Sequence, residues 1–170
     1  MLTIRKAQSR DVPELYRLIN HYAAERVLLP RTLADLHENL GEFTVAEDNG
    51  KLLGCGALKL YSRETAEIRS LCVVAELKSN GVGRKIARHL LAEAEGSGLR
   101  TVFAMTLTPA FFEKLGFRQV PRANFPSKIR RDCLRCERYA TCNETAVTLD
   151  MVPRHGSEVE RIPETAEVAG

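Results

Sequence analysis

The chain has no tryptophan, and its 7 prolines and 11 glycines are too few for a collagen-like or wholly disordered polymer. It has no apolar run near the roughly 18 residues that a membrane helix needs. Its start, Met1-Leu2-Thr3-Ile4-Arg5-Lys6, lacks the apolar stretch of a signal peptide. A strong charge bias is missing too: 25 Lys+Arg against 22 Asp+Glu leaves a net charge of +3. That falls short of the basic stripe of nucleic-acid-binding modules, and suits a small anionic ligand if the positive charges converge. Five cysteines, an odd number without an export signal, argue against a disulfide framework. These absences predict a soluble, cytoplasmic protein that binds neither membrane nor nucleic acid.

What is present is 170 residues, 44% hydrophobic and 28% charged, enough for one domain with a sizeable core. Leu2 and Ile4 alternate as a first strand, residues 2–6. Asp11 and Pro13 open a helix whose apolar face is Leu15, Leu18, Ile19 and Tyr22. After a loop at 27–31, Thr32 caps a second helix with Asp35 three residues on, its stripe being Leu33, Leu36 and Leu40. Phe43–Ala46 reads as a strand, Asp48-Asn49-Gly50-Lys51 as a hairpin turn, and Leu52–Tyr61 as the returning strand. Ala66–Val74 reads as a strand buried on both faces.

The second half alternates helix and strand. Val82, Ile86, Ala87, Leu90, Leu91 and Ala94 form a helical stripe that Gly96-Ser97-Gly98 stops. Arg100–Thr106 is a strand, Pro109–Leu115 a helix with Gly116 after it, and Phe117–Val120 a further strand. Residues 121–142 form a basic, cysteine-bearing insertion without clear periodicity. Val147, Leu149 and Met151 alternate as a last strand. The domain spans 1–151, and 152–170, without a core-forming pattern, are expected to be a disordered tail.

The most informative stretch is Leu71-Cys72-Val73-Val74-Ala75-Glu76-Leu77-Lys78-Ser79-Asn80-Gly81-Val82-Gly83-Arg84. A strand runs into a glycine-bearing turn that opens an amphipathic helix. Gly81 and Gly83 let successive N–H groups point at one place, the helix start adds partial positive charge, and Lys78 and Arg84 flank the loop. Two glycines at a helix start also serve as an ordinary strand-to-helix turn. The loop lacks the G-x-x-x-x-G-K-[ST] and G-x-G-x-x-G patterns of nucleotide sites. It fits [QR]-x-x-G-x-[GA], with Lys78 a conservative departure.

This loop, the strand before it, and Ala110-Phe111-Phe112-Glu113-Lys114-Leu115-Gly116-Phe117 resemble the GNAT N-acetyltransferases over residues 2–151. The resemblance implies an α/β (α+β) fold: a mixed, mostly antiparallel sheet, splayed between strands 4 and 5 and flanked by helices. Acetyl-CoA would wedge into the opening as co-substrate, with no metal required. Its pyrophosphate would meet the backbone amides of Ser79, Asn80, Gly81, Val82, Gly83 and Arg84, and its pantetheine arm would pair with Leu71, Cys72 and Val73. The backbone N–H near Cys72 or Val73 would polarise the thioester. Phe112 stands against the cofactor where many relatives carry a tyrosine acid, a proton donor that this chain lacks. Thr106 and Thr108 are weak substitutes.

Within that family the likeness runs to the acetyltransferase domain of the N-acetylglutamate synthases, in a short stand-alone form. It rests on Leu29-Pro30-Arg31-Thr32, Cys55-Gly56-Ala57-Leu58-Lys59, Glu67-Ile68-Arg69-Ser70-Leu71, Leu107-Thr108-Pro109-Ala110-Phe111-Phe112 and Phe125-Pro126-Ser127-Lys128. It implies L-glutamate as acceptor, held by Arg31 and Lys59, and a homodimer. The family's C-terminal Arg-x-Ser pair falls near Asn143 and Thr145, where the arginine is missing; Lys128 or Arg130 would replace it. Glu67 is the candidate base, directly or through water, and its bland alternative is a surface carboxylate at a strand end. An acetyltransferase for another amine, or a non-catalytic acetyl-CoA sensor, would share most of these features.

The remaining chemistry-bearing residues leave alternatives open. Cys72 and Cys55 read as small buried residues. Cys133-x2-Cys136-x5-Cys142 is three-quarters of a zinc site, a redox-sensitive thiol set, or three reduced structural cysteines, with Lys128, Arg130, Arg131, Arg135 and Arg138 favouring thiolates. His21, His37, His89 and His155 are scattered, without metal spacing.

Overall fold

The asparagine–glycine hairpin organises the first half of the sheet. Asn49 and Gly50 both take positive φ, 50° and 78°, the twist that a two-residue turn between antiparallel strands requires. It joins β2 (Phe43–Asp48) to β3 (Lys51–Leu60), and β1 (Leu2–Lys6) pairs on the other side of β2. The computed structural model describes residues 1–151; the expected tail, with His155, lies outside the described residues. The remaining elements are α1 (Val12–Ala24), α2 (Leu33–Glu38), β4 (Thr65–Val73), α3 (Val82–Gly96), β5 (Thr101–Thr106), α4 (Pro109–Glu113), β6 (Arg118–Val120), α5 (Pro126–Arg131) and β7 (Thr145–Asp150). The seven-stranded sheet has the order β1-β2-β3-β4-β5-β7-β6, and only the β4–β5 pair is parallel.

Apolar residues at helical spacing cover both faces. Val82, Ile86, Leu90 and Ala94 of α3 pack on Leu58, Ile68, Val102 and Val147. Val12, Leu15 and Ile19 of α1, with Leu36 of α2, pack on Phe43, Val45, Cys55 and Ala57. Thr32 caps α2 as its spacing predicts, accepting the Asp35 N–H at 3.1 Å. Asp11 does not cap α1 with its side chain. Its carboxylate turns back to the Gln8 N–H at 2.7 Å and to both Arg5 terminal nitrogens at 2.7 and 3.0 Å. Those bonds, that of Arg5 foremost, hold its carboxyl below the usual range.

Two departures from the sequence pattern shape the site. Residues 121–142 contain the helix α5 and short 3-10 turns. Phe125 anchors this insertion by stacking on Phe103 at 4.0 Å, beside Tyr61. The second departure concerns β4, which is fully buried only at Ala66–Ile68. It pairs with β5 at Thr65–Thr101, Ala66–Val102 and Glu67–Phe103 and then the strands separate, which leaves Arg69–Val73 half-buried.

On its other edge β4 carries a bulge. Cys55 faces Cys72 and Ala57 faces Arg69, so three steps on β4 oppose two on β3. Ser70 absorbs the extra residue with φ 53°, a left-handed conformation that costs a non-glycine residue about 1 kcal/mol or more. Without the bulge, Arg69 and Cys72 would face opposite sides of the sheet.

Gly54 sits where β3, β4 and α3 meet most closely. A Cβ there would lie 2.8 Å from Cys72 O and from Val73 Cγ1. Gly54→Ala should therefore destabilise by about 1–3 kcal/mol in urea denaturation. Gly41→Ala, where a Cβ would meet nothing within 4 Å, should stay within about 0.5 kcal/mol of the parent.

Candidate active site

The separation of β4 from β5 opens a cleft of about 1240 Å³, walled by α1, loop 27–31, the β4–α3 loop, α4 and the insertion. One end is built from backbone. Ser79 and Gly81 take φ of 72° and 81°, and Gly81 leads into α3, whose first turn carries no acidic residue. The first-turn N–H groups of a helix have no intrahelical acceptor, so they converge here beside the cleft. A Cβ at Gly81 would meet nothing within 4 Å, and one at Gly83 would lie 3.7 Å from the Phe111 ring. The loop is an open, cationic cradle of the kind that binds phosphate groups. Arg84 is exposed beside it. Lys78 instead turns its ammonium over the Tyr22 ring at 4.7 Å, and the Tyr22 hydroxyl donates to Val73 O at 2.6 Å.

The other end is a cluster of charge on the α1–α2 face of the sheet. Arg31 is held at its backbone by Asn20, whose amide donates to Arg31 O at 2.9 Å and accepts from Arg31 N at 3.1 Å. Its guanidinium lies 5.5 Å over the Phe43 ring and pairs with Asp35. The side chain is only 8% exposed, yet Nη2 has no hydrogen-bond partner, and Nε meets Asp35 without hydrogen-bond geometry. Burial, and next the charge of Arg69, lower the pKa of Arg31. The Arg69 guanidinium reaches Glu42 at 3.5 Å and Asp132 at 3.9 Å, and its Nε is buried without a partner.

Beneath them lies a second layer of paired charge. Glu67, 3% exposed, accepts from Tyr61 at 2.8 Å and forms an ion pair with Lys128 at 3.0 Å. It is a buried carboxylate, which corrects the bland reading of a surface strand end. Lys128 also donates to Asp132 at 3.1 Å, Lys59 lies 3.4 Å from both Asp132 oxygens, and Tyr61 makes a short contact to the same carboxylate. The single Tyr61 proton serves one carboxylate at a time, and Lys128 supplies donors to both. Burial alone would raise the Asp132 pKa; Tyr61, Lys128 and Lys59 outweigh it and hold it at about 2.

Arg31, Lys59, Glu67, Leu71, Cys72, Val73, Lys78, Ser79, Gly81, Gly83, Arg84, Phe112 and Lys128 all line the cleft. Arg130, Asn80 and Val82 do not. Arg130 is exposed on α5, while Lys128 and Asp132 face inward. The Asn80 N–H donates to Leu77 O at 3.1 Å, which corrects its expected contact with the pyrophosphate, and the Val82 side chain is buried in the core. Phe112 is buried between Phe111 and Phe117. The hydroxyls of Thr106 and Thr108 contact each other at 3.2 Å, and Thr106 accepts the Thr108 N–H at 2.9 Å, so both are engaged in a local turn. Asn20, Tyr61, Arg69 and Asp132 of this site were not singled out by the sequence pattern. Glu67 and Arg69 stand two apart on one strand face, and that spacing was a readable signal.

Among the described residues no three His, Cys, Asp or Glu side chains are grouped to hold a metal ion. Burial raises the Cys133 thiol pKa against the pull of Lys128, which corrects the expectation that the basic surroundings favour its thiolate. No helix among the described residues is long and apolar enough to cross a membrane.

The model of the acetyltransferase (GNAT) family matches residues 8–117. An uncharacterized N-acetyltransferase of Chlorobaculum tepidum is 34% identical over 144 residues, 85% of this chain and 93% of the relative. The amino-acid acetyltransferase of Mycobacterium tuberculosis is 36% identical, with 69% of this chain and 68% of that protein covered. Among solved structures, N-acetylglutamate synthase from Neisseria gonorrhoeae, complexed with coenzyme A and N-acetyl-glutamate, superposes with a TM-score of 0.81 at 28% identity. It covers 89% of this chain, which spans 35% of that longer one.

The Asp132 pairings generate a pH prediction. A carboxylate whose folded pKa lies below the unfolded value of about 3.9 adds stability that is fully present above that value and is lost as pH falls toward the folded one. Asp132→Asn should cost about 1.5–3 kcal/mol at pH 7. Its urea midpoint should also fall less steeply than the parent's between about pH 4 and pH 2.

Proposed function

Because the chain belongs to the acetyltransferase (GNAT) family, we propose that it carries acetyl from acetyl-CoA to the α-amine of an amino acid, L-glutamate before others. The observation that supports this reading best is the Arg31 guanidinium, nine-tenths buried in the cleft wall with Nη2 unmet. A buried donor left unpaired is costly, and a substrate carboxylate would satisfy it through a forked, charge-assisted contact. The N-acetyl-glutamate in the gonococcal synthase complex points the same way.

The opposite end of the cleft fits the co-substrate. The cradle is open at Gly81, and beyond Glu67 the edge of β4 facing β5 is open to an extended chain. Acetyl-CoA supplies the acetyl group as an activated thioester. Val74 donates its N–H to Leu53 O on β3 at 2.8 Å. Strand alternation therefore turns the Cys72 N–H toward β3 as well and leaves that of Val73 toward the opening. Of the two amides weighed, Cys72 and Val73, that of Val73 thus takes the polarising role, while Tyr22 holds its carbonyl.

Glu67 receives the proton of the acceptor's ammonium through water, since Lys128 and Tyr61 cover the carboxylate. Phe112 donates no proton, and Thr106 and Thr108 are tied to each other. A thiol with a pKa of about 8.5 leaves without an acid.

Thiol release with acetyl-CoA and a panel of amino acids tests the reading: glutamate should be the best acceptor, and release with another amine alone, or with none, would refute it. Arg31→Ala should raise the Michaelis constant for glutamate about 30-fold or more and leave that for acetyl-CoA near the parent's. Gly81→Asp should weaken acetyl-CoA binding in calorimetry by over about tenfold, through added charge and a strained φ. Unchanged affinity would move the pyrophosphate elsewhere.

A further inference from the structure

Resting on that reading, we infer that Arg69 binds the side-chain carboxylate of the acceptor and, with Arg31, selects a dicarboxylate over its amide. Phe43, Ala57 and Arg69 are register partners across β2, β3 and β4. They form one row on the face that α1 and α2 cover. Arg31 stacks over Phe43 in that same row, which brings two guanidinium groups to one wall. Ala57 between them is buried under α1 and α2, while Arg31 and Arg69 at the ends of the row both line the cleft.

The donors at this wall are poorly met. Arg31 Nη2 and Arg69 Nε are buried without partners, and Arg69 has only the distant oxygens of Glu42 and Asp132. Charge-assisted bonds run at about 2.7–2.9 Å, so 3.5 and 3.9 Å leave Arg69 with capacity for a closer anion. Two like charges with unpaired buried donors are unfavourable alone, and an anion between them relieves both costs.

Three other cations of the cleft are each held by two partners. Lys59 is equidistant from both Asp132 oxygens and lies 5.1 Å over the Tyr61 ring. Lys128 bridges Glu67 and Asp132. Arg138 donates to the carbonyls of Leu28 and Ala23 at 3.4 and 3.3 Å. Arg69 therefore supplies, from β4, the guanidinium that Asn143 and Thr145 do not bring.

Two measurements on the full chain test this: steady-state kinetics with glutamate and with glutamine, and calorimetric binding of N-acetylglutamate in the presence of coenzyme A. Arg69→Ala should raise the glutamate Michaelis constant about 30-fold or more and bring the kcat/KM ratio of glutamate to glutamine toward one. The acetyl-CoA constant should hold, and N-acetylglutamate affinity should fall by a similar factor. Arg69→Lys, which keeps the charge but not the fork, should fall between, and it serves as the test if the alanine variant does not fold. Lys59→Ala should lose less than Arg69→Ala. If Arg69→Ala folds and keeps the parent's preference for glutamate, or if Lys59→Ala is the more damaging, the inference is overturned while the glutamate reading stands. A parent that acetylates no dicarboxylate amino acid overturns both.

Discussion

Three register pairs hold β4 to β5, and everything functional follows from where they stop. Beyond Glu67 the strands diverge, so the second half of β4 keeps an edge that no other strand covers. An open edge in the middle of a sheet leaves backbone groups without partners, which is costly unless a ligand completes it. Tyr22 satisfies one such group, Val73 O. The bulge at Ser70 then re-aims the strand so that Arg69 and Cys72 share a face. The opening follows from one interrupted pairing, and the bulge on the other edge of β4 turns Arg69 toward the charged wall.

The charged wall is possible only because the insertion closes over it. Phe125 stacked on Phe103 fixes the start of α5. One helical turn separates Lys128 from Asp132, so both reach the same buried point. There Lys128 pairs with Glu67 and Asp132, Lys59 pairs with Asp132, and Tyr61 donates to either carboxylate. Arg31 and Arg69 lie next to this network and are not satisfied by it. A fold that tolerates two incompletely paired guanidinium groups beside a cleft spends stability on recognition, a pattern expected where a charged ligand completes the site.

Much of this was legible in the amino-acid pattern, where local chemistry decides the structure. Asn49-Gly50, Thr32 with Asp35, and the stripe from Val82 to Ala94 each specify their element by turn chemistry, capping or periodicity, and each element is present. The glycine-bearing loop was read from its residue types, and Arg31 only through the family resemblance. Arg69 and Asp132 were not singled out, because their importance comes from contacts across the sheet. Asp132 is 73 residues from Lys59 and 71 from Tyr61. The short α5 escaped for the same reason, since tertiary anchoring rather than a long apolar stripe holds it. The double-sided burial read into β4 failed at Arg69–Val73 because its neighbour leaves there, which no strand's own residues announce.

We propose that the divergence of β4 from β5 and the paired guanidinium groups form one site for two substrates. A crystal structure of the protein with coenzyme A and N-acetylglutamate tests it most directly. Coenzyme A should lie between β4 and β5 with its pyrophosphate at Ser79–Arg84. The two product carboxylates should lie at about 2.7–3.2 Å from Arg31 and Arg69. Coenzyme A lying outside the β4–β5 opening, or carboxylates turned away from both arginines, would contradict it.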